Sequence, residues 1–409
     1  MRRRGGSPQF GPNTYNSPMS FAIGLDRLAS QRFERLRGKR VGVVCNQASV
    51  DSSYRHILDL LSDVEIGAVF GPQHGLFGTT QDNMIEWNGE GAPPRSYPTY
   101  SLYGEHREPT DDMLKGIDLL LIDLPDVGSR YYTFIWTMSL CIQAAERLGI
   151  PVMVLERPNP IGSAVEGPGI AAGFESFVGL HDVPIRHGMT IGEVARQVVD
   201  RYYTRAHLEV IEMEGWDRML YADQVPHAWV MPSPNMPTVD TAVVYPGGCL
   251  LEATNLSEGR GTTRPFEIVG APFIDGWRLA EAVNSLGLEG VYFRALQFEP
   301  TFNKHHGKIC EGVQVHVLDR ASFRPVLAYA CLINEVAKQT GIHDSSHVKL
   351  DRFQATSDES QLPGFAWKQP PYEYVYDRLP IDILSGSENF RKLVENRGSL
   401  NLIEQWATG

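Results

Sequence analysis

From Arg40 onward the chain alternates unbroken apolar runs with stretches of helical periodicity. The runs are RVGVVCNQ (40–47), VEIGAVFGPQ (64–73), IDLLLIDLPD (117–126), PVMVLERPN (151–159) and HLEVIEME (207–214). An apolar run without alternation suits a strand buried on both faces, and hence a parallel sheet covered on both sides. Helical patterns lie at 54–61, 109–115, 134–148 and 191–203. The order predicts a doubly wound α/β domain over residues 21–235, preceded by a disordered tail at 1–20.

Ligands of open α/β sheets sit beyond the carboxyl ends of the strands. Four of the predicted strands stop there in polar residues: Asn46 with Gln47, Gln73 with His74, Asp123 with Asp126, and Glu156 with Arg157 and Asn159. Helix caps and turns explain one or two such endings. Four on one edge point to a site.

The Pro-rich stretch MPSPNMPTVD (231–240) reads as a linker or a pocket-lining turn, and CLLEATNLSEGRGTTRPFEIVGAPFIDG (249–276) as a polar loop. Strand patterns at 291–300 and 311–319, with helical patterns at 324–340 and 389–396, predict a second, smaller α/β or α+β domain over 241–409. A chain of 409 residues is long for a single core, which agrees with two domains.

The formal charge of −12, from 49 acidic and 37 basic residues, argues against nucleic-acid binding. Arg2, Arg3 and Arg4 are followed by a Gly/Ser/Pro-rich stretch where a signal peptide would be apolar, and no apolar run is long enough for a membrane span. Five scattered cysteines fit reduced, buried thiols. The expectation is a cytoplasmic protein without membrane contact. No protein partner is readable.

The first strand ends without G-x-G-x-x-G, and no P-loop follows elsewhere, so no nucleotide cofactor is expected. His74, His181, His187, His305 and His306 lack metal-ligand spacing, and G-x-S-x-G is missing. Carboxylate, histidine and arginine chemistry remains. Glycoside cleavage needs a carboxylic acid to protonate the leaving oxygen and a second group to stabilise the oxocarbenium-like centre. The candidate acids are Glu86, Asp123, Asp126, Glu166, Glu258 and Glu267. Asp123, flanked by apolar residues, reads as structural. Asp126 stands beside Arg130 and Tyr131 at a helix start, either as an N-cap or as a catalytic group. Glu258, Arg260 and Arg264 share a Gly-rich loop suited to a carboxylate or acetamide, or to a structural ion-pair network.

Several long strings make a resemblance specific: Phe70 to Gly78, DLPDVGSRYYTF (123–134), VLERPNPIGSAVEGP (154–168), FVGLHDVPIRHGMTIGEVA (177–195), WVMPSPNMPT (229–238) and YPGGCLLEATNLSEGRGTTRPFEIVGAPF (245–273). Over residues 35 to 400 the chain resembles the DUF1343 family, whose characterised members are exo-β-N-acetylmuramidases of the NamZ type. The resemblance implies a Rossmann-like domain, a smaller C-terminal domain, a cleft between them and no nucleotide cofactor. It also implies release of N-acetylmuramic acid from the non-reducing end of peptidoglycan fragments. Cleft arginines would suit the lactyl carboxylate of that sugar.

One motif departs. The family reads F-x-P-E-H-G, and its glutamate is implied to be catalytic; this chain carries Gln73 there. An amide does not exchange protons at neutral pH, so the acid has either moved or been lost. Glu86, beside Trp87, is the expected replacement, because burial against a ring raises a carboxyl pKa; an exposed loop acid is the alternative, and Asp82 lies nearer. Glu166 is the second catalytic candidate, with a turn that hydrogen-bonds backbone amides as the alternative, and His74 a proton carrier or acetamide ligand. Asn46, Gln73, Asp82, Arg130, Tyr131, Arg157, Asn159, His187, Asn235, Glu258, Arg260 and Arg264 are the expected substrate ligands. Two alternatives stand beside the muramidase: a sugar-binding or regulatory protein that has lost turnover, and a glycosidase of altered sugar specificity.

Overall fold

The computed structural model describes residues 21–80, 85–86, 97–227, 229–346 and 362–409. The expected tail at 1–20 and the candidate Asp82 fall outside them. After α1 (Gly24–Ser30), the five apolar runs form β1 (Arg40–Cys45), β2 (Glu65–Gly71), β4 (Leu119–Asp123), β5 (Val152–Leu155) and β6 (Leu208–Ile211), joined by a short β3 (Thr99–Ser101). All are parallel, in the order β3-β2-β1-β4-β5-β6.

The runs are unbroken because each strand serves two cores. Side chains alternate across a strand, so Val44, Phe70, Ile122 and Val154 pack on one face with α3 (Phe134–Leu148) and α4 (Ile191–Arg201). Val43, Val69, Leu121 and Met153 pack on the other with α1 and α2 (Ile57–Leu60). The patterns at 134–148 and 191–203 form their helices, the second opened by a Thr190/Glu193 capping box. Two others differ. Tyr54 has a φ of 61°, so α2 begins only after His56 caps it. Residues 109–115 form turns, where Thr110 Oγ1 accepts from the Met113 amide.

The second half opens with α5 (Val239–Gly248), at the end of the stretch expected as a linker or a pocket-lining turn, capped by Thr238 and carrying Pro246 near its end. The expected polar loop holds β7 (Ile268–Ala271). With β8 (Val291–Phe298) and β9 (Cys310–Val317) it forms an antiparallel sheet, ordered β7-β9-β8, against α6 (Gly276–Asn284). The helices α7 (Pro325–Thr340), α8 (Pro380–Ser385), α9 (Asn389–Glu395) and α10 (Leu400–Thr408) complete it. One apolar core continues from Val44 to Ala407, so the two halves pack as one body.

The 3-2-1-4-5-6 order is that of dinucleotide-binding sheets, whose ligand enters where the order reverses, between β1 and β4. Here protein fills that place. Ser49 Oγ donates to the Asp123 carbonyl at 2.5 Å, and Arg157 grips the Asp123 carboxylate at 2.5 and 2.8 Å while donating to the Val50 carbonyl at 3.0 Å. Arg157, expected as a substrate ligand, is thereby a structural partner of a fully buried aspartate. Glu166, expected to be catalytic, lies at the seam between the halves. Its Oε1 accepts from the Leu327 amide at 2.9 Å in the first turn of α7, and Arg324 stands 3.9 Å away. Burial raises its carboxyl to about 7 despite the Leu327 and Val326 amides and the charge of Arg186. Such burial imitates a general acid, but the group caps a helix.

Two stability measurements follow. Arg157→Ala leaves Asp123 charged, buried and unpaired, and should cost about 3–5 kcal/mol in urea unfolding; a loss below about 1 kcal/mol would contradict a structural role. Glu166 is protonated in both states below pH 4.5, while between 4.5 and 7 the unfolded chain releases a proton that the folded chain keeps. Relative to Glu166→Gln, wild type should therefore lose on the order of 3 kcal/mol as pH rises through 7. A constant difference across that window would contradict the raised pKa.

Candidate active site

A cleft lies between the carboxyl end of β2, the loop before α3 and the second half of the chain. Its unfilled cavity volume is about 30 Å³, and it is partly open to solvent. Gln73, His74, Tyr131, Thr133, Asn235, Glu252, Arg260, Tyr372 and Glu373 are among its lining residues.

The strand end supplies the first pair. After β2 the chain turns at Pro72, and His74 takes a φ of 68°, a left-handed conformation that costs a non-glycine residue energy. Gln73 Oε1 accepts from Thr133 Oγ1 at 2.7 Å, and the rest of its side-chain amide hydrogen-bonds Glu373. His74 Nδ1 lies 2.9 Å from the Thr80 carbonyl, which can only accept. The ring proton therefore sits on Nδ1 and Nε2 is an acceptor. Burial, opposed by the Thr80 bond and helped by the Arg260 charge, lowers the ring to about 4. His74 is thus a neutral hydrogen-bonding group at neutral pH.

The opposite wall is the segment QPPYEYVYD (369–377). Tyr372 and Val375 exchange backbone hydrogen bonds of 3.0 and 2.9 Å around Glu373 and Tyr374, whose φ values are 45° and 68°. Two consecutive positive φ values mark a type I′ turn, which favours Asn-Gly; Glu-Tyr occupies it at a cost of about 1–3 kcal/mol per residue. The strained turn presents Glu373 to the cleft with 4% of its surface exposed. Burial raises its carboxyl to about 7. Hydrogen bonds from Tyr103 and Gln73 and the charge of Arg107 oppose the rise, and the charge of Glu252 adds to it.

Glu252 is the second carboxylate. It accepts from Arg260 and from the Tyr372 hydroxyl, each at 2.7 Å. Arg260 also reaches Glu258 at 3.1 Å, and Lys304 meets Glu258 at 2.9 Å. Burial pushes the Glu258 carboxyl up, but the two cations outweigh it and hold it below the usual range.

Of the residues singled out in the sequence, the cleft brings together Gln73, His74, Tyr131, Asn235 and Arg260. The others stand elsewhere. Asp126 was expected to be catalytic; its Oδ2 accepts from the Gly128 amide at 2.9 Å and lies 3.0 Å from His187 Nε2, in a buried pair behind the wall. Gly128 sits there at a φ of 79°, where a Cβ would meet Asn159 Oδ1 at 2.5 Å. Asn159 spends its side chain on the Ile161 amide and the Met189 carbonyl, and Asn46 on the Ala48 amide and the Pro232 carbonyl. Arg130 is fully buried, donating to the carbonyls of Pro168, Val183 and Leu384. Glu258 lies within its ion network, and Arg264 is half exposed beside Glu267. Glu86 is exposed, so the burial expected of a general acid is lacking; its Oε1 accepts from the Tyr374 hydroxyl at 2.5 Å, at the edge of the site. The residues missed were Glu252, Tyr372 and Glu373. An acid between two tyrosines after a Pro-Pro pair was the available signal for the last.

The comparisons agree with this architecture. Residues 41–240 match the model of the N-terminal part of exo-β-N-acetylmuramidase NamZ, and residues 243–409 match its C-terminal part. The chain is 43% identical over 350 residues to the peptidoglycan β-N-acetylmuramidase NamZ of Bacillus subtilis, covering 84% of this chain and 82% of that one. Crystal structures of two DUF1343 family proteins from Bacteroides fragilis superpose with TM-scores of 0.78 and 0.66 at 29% and 25% identity. Each covers 95% of this chain and 94% of its own. The chain belongs to the NamZ exo-β-N-acetylmuramidase family, DUF1343.

Proposed function

We propose that the protein is an exo-acting glycosidase that releases N-acetylmuramic acid from the non-reducing end of peptidoglycan fragments, with Glu373 moving the proton. The family and the muramidase relative support the reaction class. The observation that carries the assignment is a carboxyl buried in the cleft and raised to about 7. Such a group holds a proton at neutral pH and can pass it to a glycosidic oxygen.

The remaining cleft residues have complementary parts. Gln73 cannot transfer a proton, but its amide orients Glu373. His74 offers Nε2 to a hydroxyl or acetamide N–H. The Tyr131 hydroxyl is buried in the cleft without a hydrogen-bond partner among the described residues, which suits a sugar hydroxyl. Glu252, held by Arg260 and Tyr372, places a carboxylate where positive charge develops in the transition state. Arg260 is shared between two carboxylates, so its charge is already balanced, which weakens the lactyl-carboxylate role expected of it.

The second reading rests on Gln73: with an amide at the motif's acidic position, the same cleft would bind the sugar without turnover.

The test is release of N-acetylmuramic acid from a chromogenic β-N-acetylmuramide. Glu373→Gln should lower kcat by about 10²- to 10⁴-fold with KM little changed. Because the acid form is the donor, wild-type turnover should fall as pH rises through about 7. Equal turnover in mutant and wild type would remove Glu373 from the mechanism. Saturable binding without turnover by wild type would establish the second reading.

A further inference from the structure

Glu373 is held by a buried residue that is not among those lining the cleft. Tyr103, two positions beyond β3 and wholly buried, directs its hydroxyl at both carboxylate oxygens, 3.0 Å from Oε1 and 3.1 Å from Oε2. Burial, with the Glu373 charge, pushes the phenol well above its usual range, so it stays protonated and can donate to the carboxylate. Its ring is fixed in turn. The Arg107 guanidinium lies 4.4 Å from the Tyr103 ring centroid, 4.0 Å from that of Tyr374 and 5.4 Å from that of Phe177, and donates to the Gly104 carbonyl at 2.6 Å. Tyr103 meets Tyr374 edge-on at 6.4 Å between centroids.

We propose that Tyr103 is a positioning residue for the reaction, fixing the Glu373 carboxylate through a two-oxygen hydrogen bond, and that Arg107, seated between Tyr103 and Tyr374, locks the strained turn against it. The inference rests on the reading of Glu373 as the proton-moving group. The Tyr374 ring that receives Arg107 belongs to the same left-handed turn as Glu373, so one cation braces both the donor and the backbone that carries the acceptor.

The other groups around Glu373 are the Gln73 amide, the Glu252 carboxylate with its partners Arg260 and Tyr372, neutral His74, and Tyr374 with Glu86 on its hydroxyl. Of these, Glu252 raises the Glu373 carboxyl and Gln73 lowers it; neither changes in the experiment. A donor to a carboxylate stabilises the ionised form, so removing the Tyr103 hydroxyl favours the protonated acid.

Tyr103→Phe conserves the ring and its packing, so the variant is expected to fold. Its kcat should fall while KM stays close to wild type. The alkaline limb of its pH–rate profile should move up by on the order of one pH unit, the scale of a lost hydrogen bond to a charged group. Arg107→Met should move the limb in the same direction. The proton on Glu373 is also read without turnover, from the infrared carboxyl band present in wild type and missing in Glu373→Gln; its titration midpoint should rise in Tyr103→Phe. A Tyr103→Phe limb and midpoint matching wild type, with Glu373→Gln inactive, would overturn the positioning role and leave Glu373 in place. A Glu373→Gln enzyme as active as wild type would overturn the Glu373 reading; a shifted infrared midpoint would then support the Tyr103 contact alone, and an unshifted one would end both.

Discussion

Removing the Glu373 carboxylate from water is the constraint around which this cleft is arranged. A charged carboxylate buried alone would neutralise itself or unfold its surroundings. Here it is neither fully neutral nor fully stabilised: two donors and a cation draw its pKa down, burial and Glu252 draw it up, and the balance falls near 7. The groups in that balance come from the end of β2, the loop after β3, the turn after α5 and the 369–377 hairpin. They remain in register only because both halves share one apolar core. A fold with a hinged interface would let the carboxylate find water.

The same economy explains the polar strand ends. Asp123, Asp126, Arg157 and Asn159 stand on the edge where ligands of such sheets bind, yet Asp123, Arg157 and Asn159 are satisfied by other protein groups, and Asp126 turns its Oδ2 to the Gly128 amide beside His187. They hold the loops that form the wall. Only the end of β2, where Gln73 and His74 enter a left-handed turn, projects its polar groups into the cleft. Gln73 thereby keeps a place in the site without a group that titrates, and in the proposed function the proton chemistry passes to the carboxylate that its amide touches.

The parallel sheet was legible because burial on two faces leaves an unbroken apolar run, a local signal. Strand β3, three residues long and half buried, carries no such signal, and α5 is masked by prolines on both sides of its start. The site was legible where it coincided with a strand end or a family string, at Gln73, His74, Tyr131, Asn235 and Arg260. Glu373 was not, because its burial depends on Tyr103, 270 residues earlier, and its turn uses residues that do not advertise a positive φ. Glu166 misled for a related reason. Sequence shows an acid in a turn after a strand, and only the fold shows that the N-terminus of α7 is what it faces.

The central claim is that Glu373 meets the scissile oxygen, and a crystal structure with N-acetylmuramic acid in the cleft tests it most directly. The account predicts the anomeric hydroxyl within hydrogen-bonding distance of the Glu373 carboxyl, with the sugar ring against Tyr131 and His74. A sugar seated with its anomeric hydroxyl on another acid, and Glu373 still closed against Tyr103 and Gln73 out of its reach, would contradict it.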